Sequence, residues 1–223
     1  MALTAARPQG AIAALLADGR LHLQHGPIDI VAQAFGDPPA VRAAYTRASA
    51  RFASVLEELV TELPALRSQD LPVEGPIARH MAAAVAPFRP AFITPMAAVA
   101  GAVAEEVLAA LTGPGITRAF ANNGGDIALH IAAGELTCAL AGTGDRVTLR
   151  ANDPVRGIAT SGWRGRSFSL GIADSVTVLA RTAVMADAAA TMVANAVNLH
   201  HPGILRCPAR EKQCDSDLGE RLV

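Results

Sequence analysis

The chain has 223 residues, 51% hydrophobic and 17% charged, with a formal net charge of −1. That balance suits a compact core and excludes general disorder. It gives no electrostatic basis for binding nucleic acid or an anionic membrane surface. Lysine occurs once, at Lys212, so neither a P-loop lysine nor a Schiff-base lysine is expected in the interior. Cys138, Cys207 and Cys214 are odd in number and widely spaced, which argues against a secreted disulfide framework. The apolar run 11–17 stops at Asp18, too short to span a bilayer or to read as a signal peptide, so the expectation is a cytoplasmic protein.

Residues 15–35 read as a β-hairpin, with Asp18-Gly19 as a type I′ turn signal and Leu21 and Leu23 alternating with His22 and Gln24. Ile28-Asp29-Ile30-Val31 continues the sheet beyond Gly26-Pro27. Asp37 is a good N-cap and Pro38-Pro39 fit a first turn, so a long helix opens there. Its apolar positions Val41, Tyr45, Ala48, Phe52, Val55, Leu56 and Leu59 keep helical spacing until Pro64 ends it. A polar loop at 67–75, a second helix at 76–85 closed by Pro87 and Pro90, and an extended Phe92-Ile93-Thr94 lead into a third helix at 95–111. Small residues all round that third helix predict an interior position, with Glu105 and Glu106 its only charges and a surface face the default for both. The pattern then turns to strands at 118–121, 127–131, 136–141, 146–150, 157–161, 167–172 and 175–180. A helix over 184–199 and a polar tail at 200–223 complete the chain. Two groups of strands, each paired with long helices, predict a single α+β domain with antiparallel sheets. Residues 1–94 supply the N-terminal hairpin and helices, 95–199 carry the motifs, and 200–223 form the tail.

The helix at 186–198 is apolar almost all round, yet Asp187, Thr191, Asn195 and Asn198 fall on one face at steps of four and three. Such a helix is expected to be buried. A buried carboxylate then needs a cation, an arginine or a dense set of donors. Asp187 and Thr191 together offer hard oxygens suited to Mg²⁺; the alternative is that Asp187 caps its own helix and Thr191 is a tolerated core hydroxyl. Asn123-Gly124-Gly125-Asp126, between two strands, frees the backbone for a close-lying ligand or simply makes a hairpin turn. Thr160-Ser161-Gly162-Trp163-Arg164-Gly165-Arg166 carries hydroxyls and arginines suited to phosphate, or is a solvated loop. A zinc site from His200, His201, Cys207 and Cys214 lacks the close ligand pairs such sites use. No nucleophilic triad stands out.

Taken in order, three blocks resemble the ApbE-like superfamily, whose best-known members are Mg²⁺-dependent FAD:protein FMN transferases. Ala97-Ala98-Val99-Ala100-Gly101-Ala102 resembles that family's Gly-Ala-Ile-Ala-Lys-Gly helix. Asn123-Gly124-Gly125-Asp126-Ile127 resembles its Gly-Gly-Asn/Asp-Ile strand entry. Ala159-Thr160-Ser161-Gly162, Ser175-Val176-Thr177-Val178 and Ala186-Asp187-Ala188-Ala189-Ala190-Thr191 resemble its closing Thr-Ser-Gly, Val-Thr-Val and Asp-Ala-x-x-Thr run. The N-terminal third, with His25-Gly26-Pro27-Ile28-Asp29, resembles the small uncharacterised UPF0280-type family within that superfamily.

The resemblance implies a T-fold-like architecture and a metal held by Asp187, Thr191 and the carbonyl of Ala98. It also implies a flavin nucleotide, FAD or FMN, or a related diphosphate ligand contacted by Asn123, Gly124, Gly125, Asp126, Thr160, Ser161, Gly162, Arg164, Arg166 and Asn195. The sequence departs from the transferases in two places. Gly101 stands at the lysine position, and Ser169-Leu170-Gly171-Ile172-Ala173-Asp174 replaces a His-Ile-x-Asp-Pro-x-Thr-Gly segment. Two expectations follow: a Mg²⁺-dependent enzyme acting on a nucleotide diphosphate, or a ligand-binding or assembly protein that kept the fold without the transfer. A homodimer with shared sheets fits the interior-like helices.

Overall fold

The computed structural model describes residues 10–140, 144–165 and 167–223. A seven-stranded antiparallel sheet runs in the order β1 (Ile12–Leu15), β2 (Leu21–His25), β3 (Ile28–Gly36), β4 (Ile116–Asn123), β5 (Asp126–Ile131), β8 (Gly157–Ser161) and β9 (Val176–Ala180). Between β5 and β8 the chain leaves to form a separate two-stranded arm, β6 (Glu135–Ala139) with β7 (Arg146–Arg150). The helices are α1 (Pro38–Thr61), α2 (Leu63–Leu66), α3 (Pro76–Val85), α4 (Val99–Leu111), α5 (Ala183–Ala196) and α6 (Ala209–Lys212). The expected α+β class with antiparallel sheets is what the chain adopts.

Alternation decides which face of the sheet is covered. Leu21 and Leu23 of β2, and Ile28, Ile30, Ala32 and Ala34 of β3, point to the helices and are buried. In the middle of the sheet the inward positions shrink to Ala119, Ala121, Ala128 and Ala159. That lets α4 lie close over β4 and β5, and α5 over β8 and β9. α1 adds Ala44, Ala48, Phe52, Val55 and Leu59 to the same core. On the opposite face, Ile127, Leu129, Ile131 and Ile158 cluster with Leu136 and Leu149 of the β6–β7 arm.

Several expectations change. Asp18-Gly19 is not a type I′ turn: only Gly19 has a positive φ, of 82°, whereas that turn needs it at both central residues. Paired bonds from Leu16 N–H to Arg20 O and from Gly19 N–H to Leu16 O instead close a wider loop. The stretch 167–172 is not a strand, because its backbone and side chains are drawn to the end of α5. The third helix begins with a 3₁₀ turn, Pro95–Ala98, before α4 proper. α5 is not buried all round, since Met185 and Val193 are exposed. The predicted strand end at Ala141 lies outside the described residues.

Arg51 ties α1 to α4. Its guanidinium donates to both carboxylate oxygens of Glu58 at 2.8 Å and to Glu106 at 2.6 Å. Hydrogen bonds from Arg51, and from Ser54, hold the Glu58 carboxyl below its usual range against a smaller opposing effect of burial. A depressed folded pKa contributes stability above the unfolded value and loses it as pH falls through the folded one. Arg51→Ala is expected to lower stability by about 1 kcal/mol at neutral pH, solvent screening keeping the effect small. Acid titration of both proteins by circular dichroism should show that difference shrinking as Glu58 protonates.

Candidate functional site

The first turn of α4 leaves backbone N–H groups without helical partners. Ala98 precedes it and brings no capping side chain. The cap comes from another helix: Asp187 Oδ2 accepts the Gly101 N–H at 2.9 Å, and the Ala100 amide also favours the carboxylate. α5 is capped at its own start by Thr182, whose Oγ1 accepts the Met185 N–H at 3.3 Å. Asp187 is therefore not the cap of its own helix.

α4 returns the contact. Glu105 Oε1 accepts the Val184 N–H at 2.9 Å, and its other oxygen lies 3.4 Å from His80 Nε2. The surface face expected for Glu105 is thereby corrected: the helix crossing turns it inward. A Cβ on Gly101 would lie 2.4 Å from the Ala183 carbonyl oxygen, so the crossing exists only because that side chain is absent. The crossing leaves no room at Gly101 for a side chain of any kind.

Asp187 lies at the floor of a cavity of about 570 Å³ between the α4 and α5 starts, the β4–β5 turn and the loop after β8. Burial, reinforced by the nearby negative charge of Asp126, pushes its carboxyl well above the ordinary range, and the Gly101 and Ala100 amides oppose this only in part. No arginine or histidine is bonded to it among the described ion pairs. Of the neutralising partners the sequence called for, the fold supplies amide donors.

The cavity gathers most of the candidate residues. Asn123, Gly124, Asp126, Thr160, Ser161, Gly162, Arg164, Thr191 and Asn195 all line it with Asp187. Gly124 and Gly125 have φ of 65° and 119°, giving a two-residue turn that pairs Asn123 with Asp126. Asn123 is buried and its amide donates to the Ala100 carbonyl at 3.2 Å. Asp126 Oδ1 accepts the Thr160 N–H at 3.1 Å, fastening β5 to β8. Gly125 is not among the lining residues, and Ala98 is fully buried between Ala97 and Val99, which are. Arg166 lies outside the described residues.

Two candidates are engaged in structure. Asn195 Oδ1 accepts the Leu170 N–H at 2.8 Å and the Ser169 hydroxyl at 3.2 Å, holding the 167–172 loop. Arg164 is exposed and lies 3.0 Å from Asp174 Oδ1, which also accepts the Trp163 indole N–H at 2.8 Å. Asp174 thus supplies the acid that organises this loop.

Sequence reasoning missed the far wall. Arg67, Phe92, Thr94, Gln213, Ser216 and Asp217 also line the cavity. Thr94 is buried and its hydroxyl donates to Asp217 at 2.6 Å, a contact between residues 123 positions apart. The tail is folded back onto the body, and no local motif marks such a pairing. Among the described residues no group of three or more His, Cys, Asp or Glu side chains is placed to hold a metal.

Two substitutions test this geometry. Gly101→Ala forces a methyl against the Ala183 backbone and should cost about 2–3 kcal/mol in denaturant unfolding. Asp187→Asn keeps an acceptor for the Gly101 amide and removes the charge. With a folded pKa above the unfolded value of about 3.9, the wild-type carboxyl loses stability as pH rises from that value through the folded one. Thermal melts in chelator should show the variant gaining on wild type across that window and keeping a constant lead above it.

Comparison with known proteins places the chain among relatives. A family described as AbpE bacteria matches residues 13–223. A UPF0280 protein of Methanoregula boonei is 33% identical over 201 residues, covering 84% of this chain and 83% of that protein. One from Methanothermobacter thermautotrophicus is 38% identical over 161 residues, covering 69% of this chain and 57% of its own length. One from Methanococcoides burtonii is 37% identical over 121 residues. Against this last protein the match spans about half of its length, 49%. No helix among the described residues is long and apolar enough to cross a membrane. With a match along nearly the whole chain, the protein belongs to the AbpE bacteria family and to the UPF0280 proteins.

Proposed function

We propose that the cavity binds a nucleotide carrying a diphosphate, of which FAD is the first candidate, together with Mg²⁺. One observation carries the reading: Asp187, its proton affinity raised by burial and by Asp126, lines a cavity together with the hydroxyls of Thr160, Ser161 and Thr191, the Gly124 turn and the arginines Arg67 and Arg164. A divalent cation relieves the repulsion between two such carboxylates. Hard carboxylate and hydroxyl oxygens are the donors it prefers. Asp187 and Thr191, one turn apart on α5, would hold it; the resemblance adds the carbonyl of Ala98. When bound, the ion supplies neutralisation of charge on the diphosphate.

The chain's own groups account for the rest of the binding. The Gly124-Gly125 turn brings backbone to the cavity edge without side chains in the way. Thr160 and Ser161 present hydroxyls, with Thr160 Oγ1 held 2.8 Å from Thr177 Oγ1. Trp163 and Phe168 are exposed apolar rings beside this loop, suited to cover a flat ring system.

A second reading, ligand binding without transfer, is favoured by Gly101, where the helix crossing admits no lysine. Titration of the purified protein with FAD, with and without Mg²⁺, followed by assay for FMN release, separates the two. Mg²⁺-dependent binding with FMN release supports transfer, and binding without release supports the second reading. Asp187→Ala and Thr191→Ala should each weaken Mg²⁺-dependent binding by about tenfold or more. If FAD binds equally well in chelator, or not at all, the proposal is wrong.

A further inference from the structure

Residues 207–223 close on themselves. Cys207 and Val223 exchange both backbone hydrogen bonds, at 3.3 and 3.0 Å, Ala209 N–H donates to Arg221 O at 2.9 Å, and Pro208 bridges to Leu222. Ala209 is the only buried residue of the segment. Yet this unit forms one wall of the cavity, through Gln213, Ser216, Asp217 and Leu218.

Its attachment to the body is nearly all polar. Asp217 accepts the Thr94 hydroxyl, Asp215 lies 3.2 Å from Arg67, and the Arg221 guanidinium sits 3.2 Å over the Phe92 ring. An ion pair as exposed as Asp215 with Arg67 holds weakly. The connection from α5 is exposed over 197–203 and at Leu205, and it is pinned to the body up to Arg206, whose guanidinium donates to Leu170 O at 3.0 Å and to Asn198 Oδ1 at 2.6 Å. A unit with its own backbone closure and little buried apolar surface, starting just past that Arg206 anchor, can leave as a whole without unfolding the sheet. Thr94 directly precedes the Pro95–Ala98 turn that leads into the α4 amides bonded to Asp187, so the attachment reaches the cavity floor.

We propose that residues 207–223 are a detachable wall of the cavity, latched by the Thr94–Asp217 contact and released when the ligand exchanges. The wall itself follows from the contacts above; its role in exchange rests on the nucleotide reading.

Lys212 provides the probe. It is exposed and is the only lysine in the chain, so a lysine-specific endopeptidase has one site, inside the wall. Asp217→Asn and Arg67→Gln should each speed cleavage of the full chain by about two- to fivefold, because proteolysis follows the population of the open form. A thiol introduced by Thr191→Cys at the cavity floor, its modification followed by peptide mass spectrometry, should become more reactive in the same proportion. FAD with Mg²⁺ should slow Lys212 cleavage of the wild-type chain, in which Thr191 is intact. If the latch substitutions change neither rate, or speed cleavage while the floor thiol stays constant, the wall does not control the cavity. If both rates respond to the latch but FAD with Mg²⁺ leaves cleavage of the wild-type chain unchanged, the wall stands and the nucleotide reading falls.

Discussion

Asp187 of α5 accepts an amide from the first turn of α4, and Glu105 of α4 accepts one from the first turn of α5. Each helix thus lacks something at its start that the other provides. Bonds of this kind join a carboxyl oxygen to oriented N–H groups in a poorly solvated place, where they are stronger than their surface counterparts. They fix both the distance and the rotation of the two helices, because a shift of either would leave a carboxylate and an amide without partners at once. Gly101 sets how close the pair can come.

The cavity is a consequence of that crossing. Two helix starts converge on one point, and the β4–β5 turn and the loop after β8 meet them there. A carboxylate placed at such a point does two jobs. It holds the α4 amides, which stabilises it, and it faces Asp126, which does not. The Gly101 and Ala100 amides offset burial and the neighbouring Asp126 only in part, and this distinguishes Asp187 from an ordinary capping acid.

The remaining positions of the α5 stripe divide their work. Thr191 looks into the cavity, Asn195 holds the 167–172 loop, and Asn198 reaches Leu170 O at 3.3 Å and accepts from Arg206 at 2.6 Å. Polar residues at helical spacing share a face, but what that face meets changes along its length. The stripe therefore runs from the floor of the site to its side wall and out to the base of the folded-back tail.

Periodicity and turn chemistry determined the main-sheet strands from β2 onward, α1, α3 and the polar stripe of α5, because these depend on neighbours within a few positions. Inward-pointing apolar residues at β2 and β3 and the proline-marked helix starts can be read locally. The reversal at Asp18-Gly19 was also legible, although its turn type depended on one φ angle at Asp18. Only the tertiary structure decided that Asp187 caps a different helix, that Glu105 turns inward and that 167–172 is held as loop. It also decided that a tail with few apolar residues becomes a cavity wall. The physical reason is common to all four: each is a hydrogen bond between a side chain and a group dozens of positions away. Local spacing shows that such a side chain needs a partner, and the packing of the chain chooses which one it meets.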